Sequence, residues 1–392
     1  MTDEPAEAPA PRDNLDLVGQ EAAERAVLDA WNAGRMPHAW LLTGPRGIGK
    51  ATLAYRIARF VLAAGGKGAA ADDGPGLFGD ALPPVKPTTL AIAPDHPAIA
   101  RVASGGHADL RVLEPYMPHP ERNLAPSRQI LVGHVRRALQ LTNLTSAEAG
   151  WRVVLVDPAD DLNANAQNAI LKSLEEPPPG VLFLLVSHAP GRLLPTIRSR
   201  CRRLALDPLG ADDLAMLLAR YRPALGEGDR AALARLSEGS IGDALALPES
   251  GGLDLYRNVV RLLGTLDSPD IQGIHALGDS VGRAGARRQS EDGGKPAGDA
   301  FATLRDLIGR WLARLVIAGA RAEAPAEIVP GEAQISAKFL ARAPLEQWLE
   351  VWEKVTGLMA RADGANLDRK QTVVSAFLTM AALLQAGRGT AR

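Results

Sequence analysis

Gly44-Pro45-Arg46-Gly47-Ile48-Gly49-Lys50-Ala51-Thr52 has the form G-x4-G-K, set between an apolar run, AWLLTG (39–44), and a helical run, ATLAYRIARFVLAA (51–64). Strand, glycine loop and helix in that order make a phosphate cradle: loop amides and a helix N-terminus face the anion, and the lysine neutralises it. The same spacing also fits a glycine turn that binds nothing, so the flanking strand and helix carry the argument. Gly44, Gly47, Gly49 and Lys50 are the candidate phosphate-binding residues. In a working loop the lysine is followed by Ser or Thr, whose hydroxyl ligates Mg²⁺. Here that residue is Ala51. Thr52 is the nearest hydroxyl, turned about 100° further round the helix and so a poor substitute.

Outward from the loop, LRVLEP (110–115), WRVVLVDP (151–158) and VLFLLVSH (181–188) read as further strands. Helical patterns separate them at 20–34, 127–142 and 165–178. Continuous apolar strands alternating with helices predict an α/β fold, a buried parallel sheet with helices on both faces. WRVVLVDP ends in Asp157, suited to a Mg²⁺ ion or, more plainly, to capping a turn. The next position, where a glutamate would polarise an attacking water, is Pro158, which has no proton acceptor. Loss of a general base costs roughly 10²–10⁴ in rate.

Leu194-Pro195-Thr196-Ile197-Arg198-Ser199-Arg200-Cys201 opens an arginine-rich turn, with further arginines at 202 and 203. A solvated basic turn explains it. So does an arginine finger, a guanidinium projected into a neighbouring subunit's phosphate site and worth about 10³–10⁵ in rate.

The chain has 392 residues, 46% hydrophobic and 23% charged, with net charge -1. That length predicts two or three domains, and the charge excludes a surface that grips nucleic acid over its whole extent. Its single cysteine, Cys201, excludes a disulfide framework and a four-cysteine zinc site. The acidic, Pro/Ala-rich start is unlike a signal peptide, and no uncharged run reaches the roughly 18 residues of a membrane span, so a cytoplasmic location is expected. We expect a loose tail over 1–14, a P-loop core over 15–206 with a flexible insertion at about 65–100, a small helical lid over 207–250, and an all-helical domain over 251–392 with a linker at about 282–298.

MPHAWLL (36–42) leading into GPRGIGK, with LKSLEEPPPGVLFLLVSH (171–188) and TIRSRC (196–201), resembles the bacterial clamp-loader branch of the AAA+ proteins, and within it the delta-prime type of DNA polymerase III subunit. The specific motifs span about 15–250; beyond them only the helical character and the segment 366–371 (NLDRKQ) agree. The resemblance implies an AAA+ core, a helical lid, and a C-terminal helical collar that assembles a ring of five subunits. It implies that Arg200, in Ser199-Arg200-Cys201, is a catalytic arginine finger reaching the ATP of an adjacent tau/gamma ATPase subunit. It also places Ser187 at the family's polar sensor, and it expects an arginine where this chain has Gly242, in Gly239-Ser240-Ile241-Gly242.

Ala51, Pro158 and Gly242 therefore agree in lacking hydrolytic groups, as expected of a stator subunit between a tau/gamma motor and the clamp-opening delta subunit. The sliding clamp and primed DNA would be met through that complex, and Arg136, Arg137, Arg198, Arg202 and Arg203 could lend it positive charge. The retained glycines and Lys50 leave room for ATP or ADP binding without hydrolysis, with no cofactor required. Where many clamp-loader subunits carry a four-cysteine zinc module, residues 65–105 contain no cysteine, so no zinc is expected. The alternative function is a catalytically active AAA+ ATPase of the same family, with Thr52 replacing the missing hydroxyl.

Overall fold

The computed structural model describes residues 8–64, 86–120, 124–142, 146–147, 150–287, 299–324, 327–364 and 367–386. The expected tail over 1–7, the insertion over 65–85, most of the linker (288–298) and Asn366 lie outside the described residues. Two compact units are present: Met1–Leu217 with Glu238–Gly242, and Leu218–Ser237 with Asp243–Arg392.

In the first unit the order is α1 (Glu21–Asn32), β1 (Ala39–Thr43), α2 (Lys50–Ala64), α3 (Pro97–Ala103), β2 (Leu110–Leu113), α4 (Val132–Thr142), β3 (Arg152–Val156), α5 (Ala164–Glu175), β4 (Val181–Ser187), α6 (Pro195–Arg200), β5 (Arg202–Ala205) and α7 (Ala211–Tyr221). The strands form one sheet in the order β2-β3-β4-β1-β5, and every pairing is parallel. Thus β4 lies between the glycine-loop strand β1 and the Asp157 strand β3.

Because successive strand residues face opposite sides, the apolar runs split between two cores. Trp40, Leu42, Val153, Leu155, Leu184 and Val186 face Leu53, Ile57 and Phe60 of α2. Ala39, Leu41, Val154, Val156, Phe183 and Leu185 face the other way, onto Ile170 of α5 and Ile197 of α6. Each such Leu, Ile or Phe contributes roughly 1.5–3 kcal/mol by leaving water. The expected α/β class with a parallel sheet is the one observed.

Three local features depart from the pattern expected from sequence. The helix expected over 127–142 begins only at Val132, because Ile130 makes a parallel bridge to Leu162. Residues 97–103 form α3, capped by the His96 side chain, which accepts from the Ala98 amide, with Pro97 in the first turn. And RRLA (202–205) is the fifth strand, at the sheet edge, with Leu204 its buried residue.

In the second unit, α8 (Glu227–Leu236) and all of α9 (Ile241–Glu249) but its first two residues are followed by α10 (Gly252–Gly264), α11 (Ile271–Arg287), α12 (Ala300–Arg321), α13 (Glu332–Arg342), α14 (Leu345–Gly364) and α15 (Arg369–Ala386). Trp311 and Trp348 are fully buried on either side of Phe339, one edge-on and one stacked, with ring centroids 5.2 and 4.9 Å away. The Trp348 indole donates to the Phe339 carbonyl at 3.0 Å. In the segment that carried the family resemblance, Arg369 pairs with Asp299 at 2.8 Å and Lys370 with Asp279 at 2.9 Å. These pairs fix the start of α15 against the start of α12 and the middle of α11. No described helix is long and apolar enough to cross a membrane.

Candidate functional site

The parallel register gathers three of the sequence candidates at one edge of the sheet. Thr43, last in β1, pairs with Ser187, last in β4, and Val156 of β3 pairs with Leu185. The Gly44–Gly49 loop, Ser187 and Asp157 therefore all lie at the carboxyl ends of adjacent strands, where open α/β sheets bind their ligands.

The glycines are there for backbone reasons. Gly44, Gly47 and Gly49 have φ of 145°, 75° and 98°, a region that side chains strongly disfavour. At Gly44 a Cβ would also come within 2.5 Å of the Leu206 carbonyl oxygen. The loop is pinned from outside by Gln20, whose side-chain amide donates to the carbonyls of Ile48 (3.1 Å) and Asp207 (2.9 Å).

Lys50 opens α2 and is 2% exposed. Its ammonium donates to the Gly44 carbonyl at 2.8 Å and to the Pro45 carbonyl. Burial pushes its pKa down to about 8, opposed by the carboxylates of Asp157 and Asp160 and assisted by Arg46. Thr52 is buried in the first turn of the helix.

The turn that was expected to carry a lid arginine packs directly on the loop. The Gly242 amide donates to the Gly47 carbonyl at 2.9 Å. A Cβ on Gly47 would meet Ser240 Oγ at 2.2 Å, and one on Gly242 would meet Gly47 Cα at 2.8 Å. Two glycine backbones thus meet where an arginine was expected.

Ser187 is fully buried, and its hydroxyl donates to Asp160 Oδ1 at 2.6 Å. Asp160 also accepts the amides of His188 (2.5 Å) and Ala189 (3.3 Å). Asp160 and Gln20 are site residues that sequence reasoning did not single out. A polar residue in the short turn after β3 was the available signal for Asp160, but its partners come from β4, far away in sequence. Beside it, burial lowers His188 to about 4; Lys50 and Arg46 push the same way and Asp160 opposes them. The imidazole is therefore neutral at pH 7.

Arg200 is not part of this cluster. It ends α6, two residues before Arg202, which pairs with Trp40. From Trp40 the loop begins four residues further on, about 13 Å along the strand at ~3.3 Å per residue. Arg200 and the Gly44–Gly49 loop consequently sit at opposite ends of the neighbouring strands β5 and β1. Ser199 is exposed, Arg200 partly exposed, and Cys201 buried, with its thiol pushed up to about 12 by burial. The next two arginines lie along the edge strand: the Arg202 guanidinium is 5.0 Å from the Trp40 ring centroid, and Arg203 Nε donates to Thr43 Oγ1 at 3.1 Å.

This geometry can hold a phosphate through loop amides and Lys50, but the position after Lys50 offers no hydroxyl to a Mg²⁺ ion and the position after Asp157 offers no carboxylate. Among the described residues no group of three or more His, Cys, Asp or Glu is placed to hold a metal ion.

Comparison with known proteins agrees with the motifs. Residues 92–210 match the family model described as DNA polymerase III, delta subunit. Over 186 residues, 47% of this chain and 48% of the relative, the chain is 38% identical to DNA polymerase III subunit delta' of Pseudomonas aeruginosa. It is 30% identical over 266 residues, 66% of this chain and 36% of the relative, to DNA polymerase III subunit tau of Escherichia coli. A solved structure of a DNA polymerase III gamma subunit-related protein from Thermotoga maritima aligns over 92% of this chain and 99% of that chain, at 17% identity and a TM-score of 0.38. The chain spans about half or less of the length of these two curated relatives. Loop, strand order and matched segments point the same way: over these stretches the chain is similar to the delta' and tau subunits of DNA polymerase III.

Proposed function

We propose that the chain is a non-hydrolysing stator of the bacterial sliding-clamp loader in DNA replication. It bridges the clamp-opening delta subunit and a tau/gamma ATPase in a five-subunit ring, and it donates Arg200 to the ATP bound by that neighbour. The sliding clamp and primed DNA are engaged through the assembled complex.

One observation carries this reading. Arg200 lies at the strand ends opposite its own glycine loop, so a phosphate that it contacts belongs to another subunit. The chain's own loop supports the complementary half: Ala51, Pro158 and Gly242 stand where Mg²⁺ ligation, water activation and the lid cation are expected. ATP or ADP binds this loop without being split, no cofactor is required, and no structural zinc is held.

The competing reading is an active ATPase of the same family that uses Thr52. It is tested by steady-state ATP turnover of the purified chain alone. The stator reading expects none above background. Sustained turnover that Lys50→Ala abolishes would overturn it.

A further inference from the structure

We propose that Glu175 is a positioning residue for Arg200, holding its guanidinium at the protein surface in the orientation that meets a neighbouring subunit's phosphate. The inference rests on the reading of Arg200 as a group donated in trans and adds a second residue to it. Glu175 is the last residue of α5, stopped there by Pro177, Pro178 and Pro179. Its Oε1 lies 2.8 Å from Arg200 Nη2. The opposite arm, Nη1, donates to the Thr196 carbonyl at 3.1 Å and to Ser199 Oγ at 3.4 Å.

Two arms of the fork are therefore fixed by two separate elements, α5 and α6. Among the described residues the Nε–H has no hydrogen-bond partner, and Nη2, facing Glu175, keeps a second hydrogen. Those N–H groups are the donors left for a phosphate oxygen, and a planar fork suits such an acceptor.

The pair is poorly suited to a purely structural role. The two side chains are 35% and 47% exposed, and ion pairs this wet contribute little to folding. What the pair does supply is order. An unrestrained arginine loses rotamer freedom when it docks, and holding it beforehand removes that cost from the docking step.

The test uses the reconstituted five-subunit complex and its DNA-stimulated ATPase, with wild type, Glu175→Ala, Glu175→Gln, Arg200→Ala and the Glu175→Ala/Arg200→Ala double variant. Glu175→Ala should lower kcat roughly 2–5-fold, leaving KM for ATP and the melting temperature of the free chain unchanged. Glu175→Gln keeps an oxygen acceptor at the same place and should restore the rate to within about twofold of wild type. The double variant should be no slower than Arg200→Ala alone, because Glu175 acts through Arg200.

A wild-type rate in Glu175→Ala, or a double variant clearly slower than Arg200→Ala, overturns the positioning role while leaving the role of Arg200 standing. A wild-type rate in Arg200→Ala removes the underlying reading, and the two failures are distinguishable within one series.

Discussion

The amide of Gly242 donates to the carbonyl of Gly47 at 2.9 Å, so the first turn of α9 closes onto the middle of the glycine loop. A side chain at 242 has no room there: its Cβ would lie 2.8 Å from Gly47 Cα, a backbone atom that cannot swing aside. Restoring the arginine expected from the family therefore should not restore a catalytic cation. Gly242→Arg is expected to destabilise the first unit by roughly 1–3 kcal/mol, the usual cost of overpacking, without conferring ATP turnover. Urea unfolding and an ATPase assay of the purified variant check both halves.

Lys50 gives a second test, in pH. Folding lowers its pKa from 10.5 to about 8, so between those values the unfolded chain holds a proton that the folded chain has released. Stability then rises with pH across that window, by up to about 1.4 kcal/mol per unit from this one group. Lys50→Met should remove that rise. Parallel wild-type and variant denaturation curves from pH 7.5 to 10.5 measure it, and identical slopes would contradict the buried ammonium.

Asp160 sustains the end of β4. Three donors converge on it: the Ser187 hydroxyl and the amides of His188 and Ala189. Asp160→Ala strips all three of their acceptor in a buried place and should cost at least about 3 kcal/mol, the upper figure for a single hydrogen bond to a charged group. Asp160→Asn keeps one acceptor oxygen and should cost less. Thermal melts of the two variants rank them.

His188 provides a spectroscopic check on the same cluster. Its pKa is held near 4 first by burial and next by the Lys50 charge. Lys50→Met removes the charge and leaves the burial, so the imidazole pKa should rise but stay below the ordinary 6.5. NMR titration of the His188 ring in both proteins reads this directly; a value unmoved by the substitution would separate the two residues.

Much of this was legible in the sequence because burial writes itself into composition. The runs at 39–44, 151–158 and 181–188 are largely apolar because both faces of the sheet are covered, and β1, β3 and β4 fall within them. β5 was not legible, since three of its four residues face solvent and two are arginines. Arg202 is held over the Trp40 ring and Arg203 on the Thr43 hydroxyl, contacts made across strands. The start of α3 was hidden inside a stretch whose glycine, alanine and proline content reads as loop, although Pro97 after His96 marks a helix start. The loop glycines were visible from spacing alone. What closes the loop was not: Gly242 lies almost two hundred residues away in sequence, and only the fold brings it onto Gly47. The three-way clasp of Asp160 was hidden for the same reason. For Arg200, residue spacing gave only a basic turn; the family motif singled it out, and the sheet register set it opposite its own loop.

The most direct test of that asymmetry is the DNA-stimulated ATPase of the complete clamp-loader ring built with Arg200→Ala, with ring assembly followed by gel filtration. A donated guanidinium contributes about 10³–10⁵ to the rate at the site that it serves, so turnover attributable to the adjoining motor subunit should be lost while the ring stays whole. An intact ring that hydrolyses ATP at the wild-type rate would contradict the account.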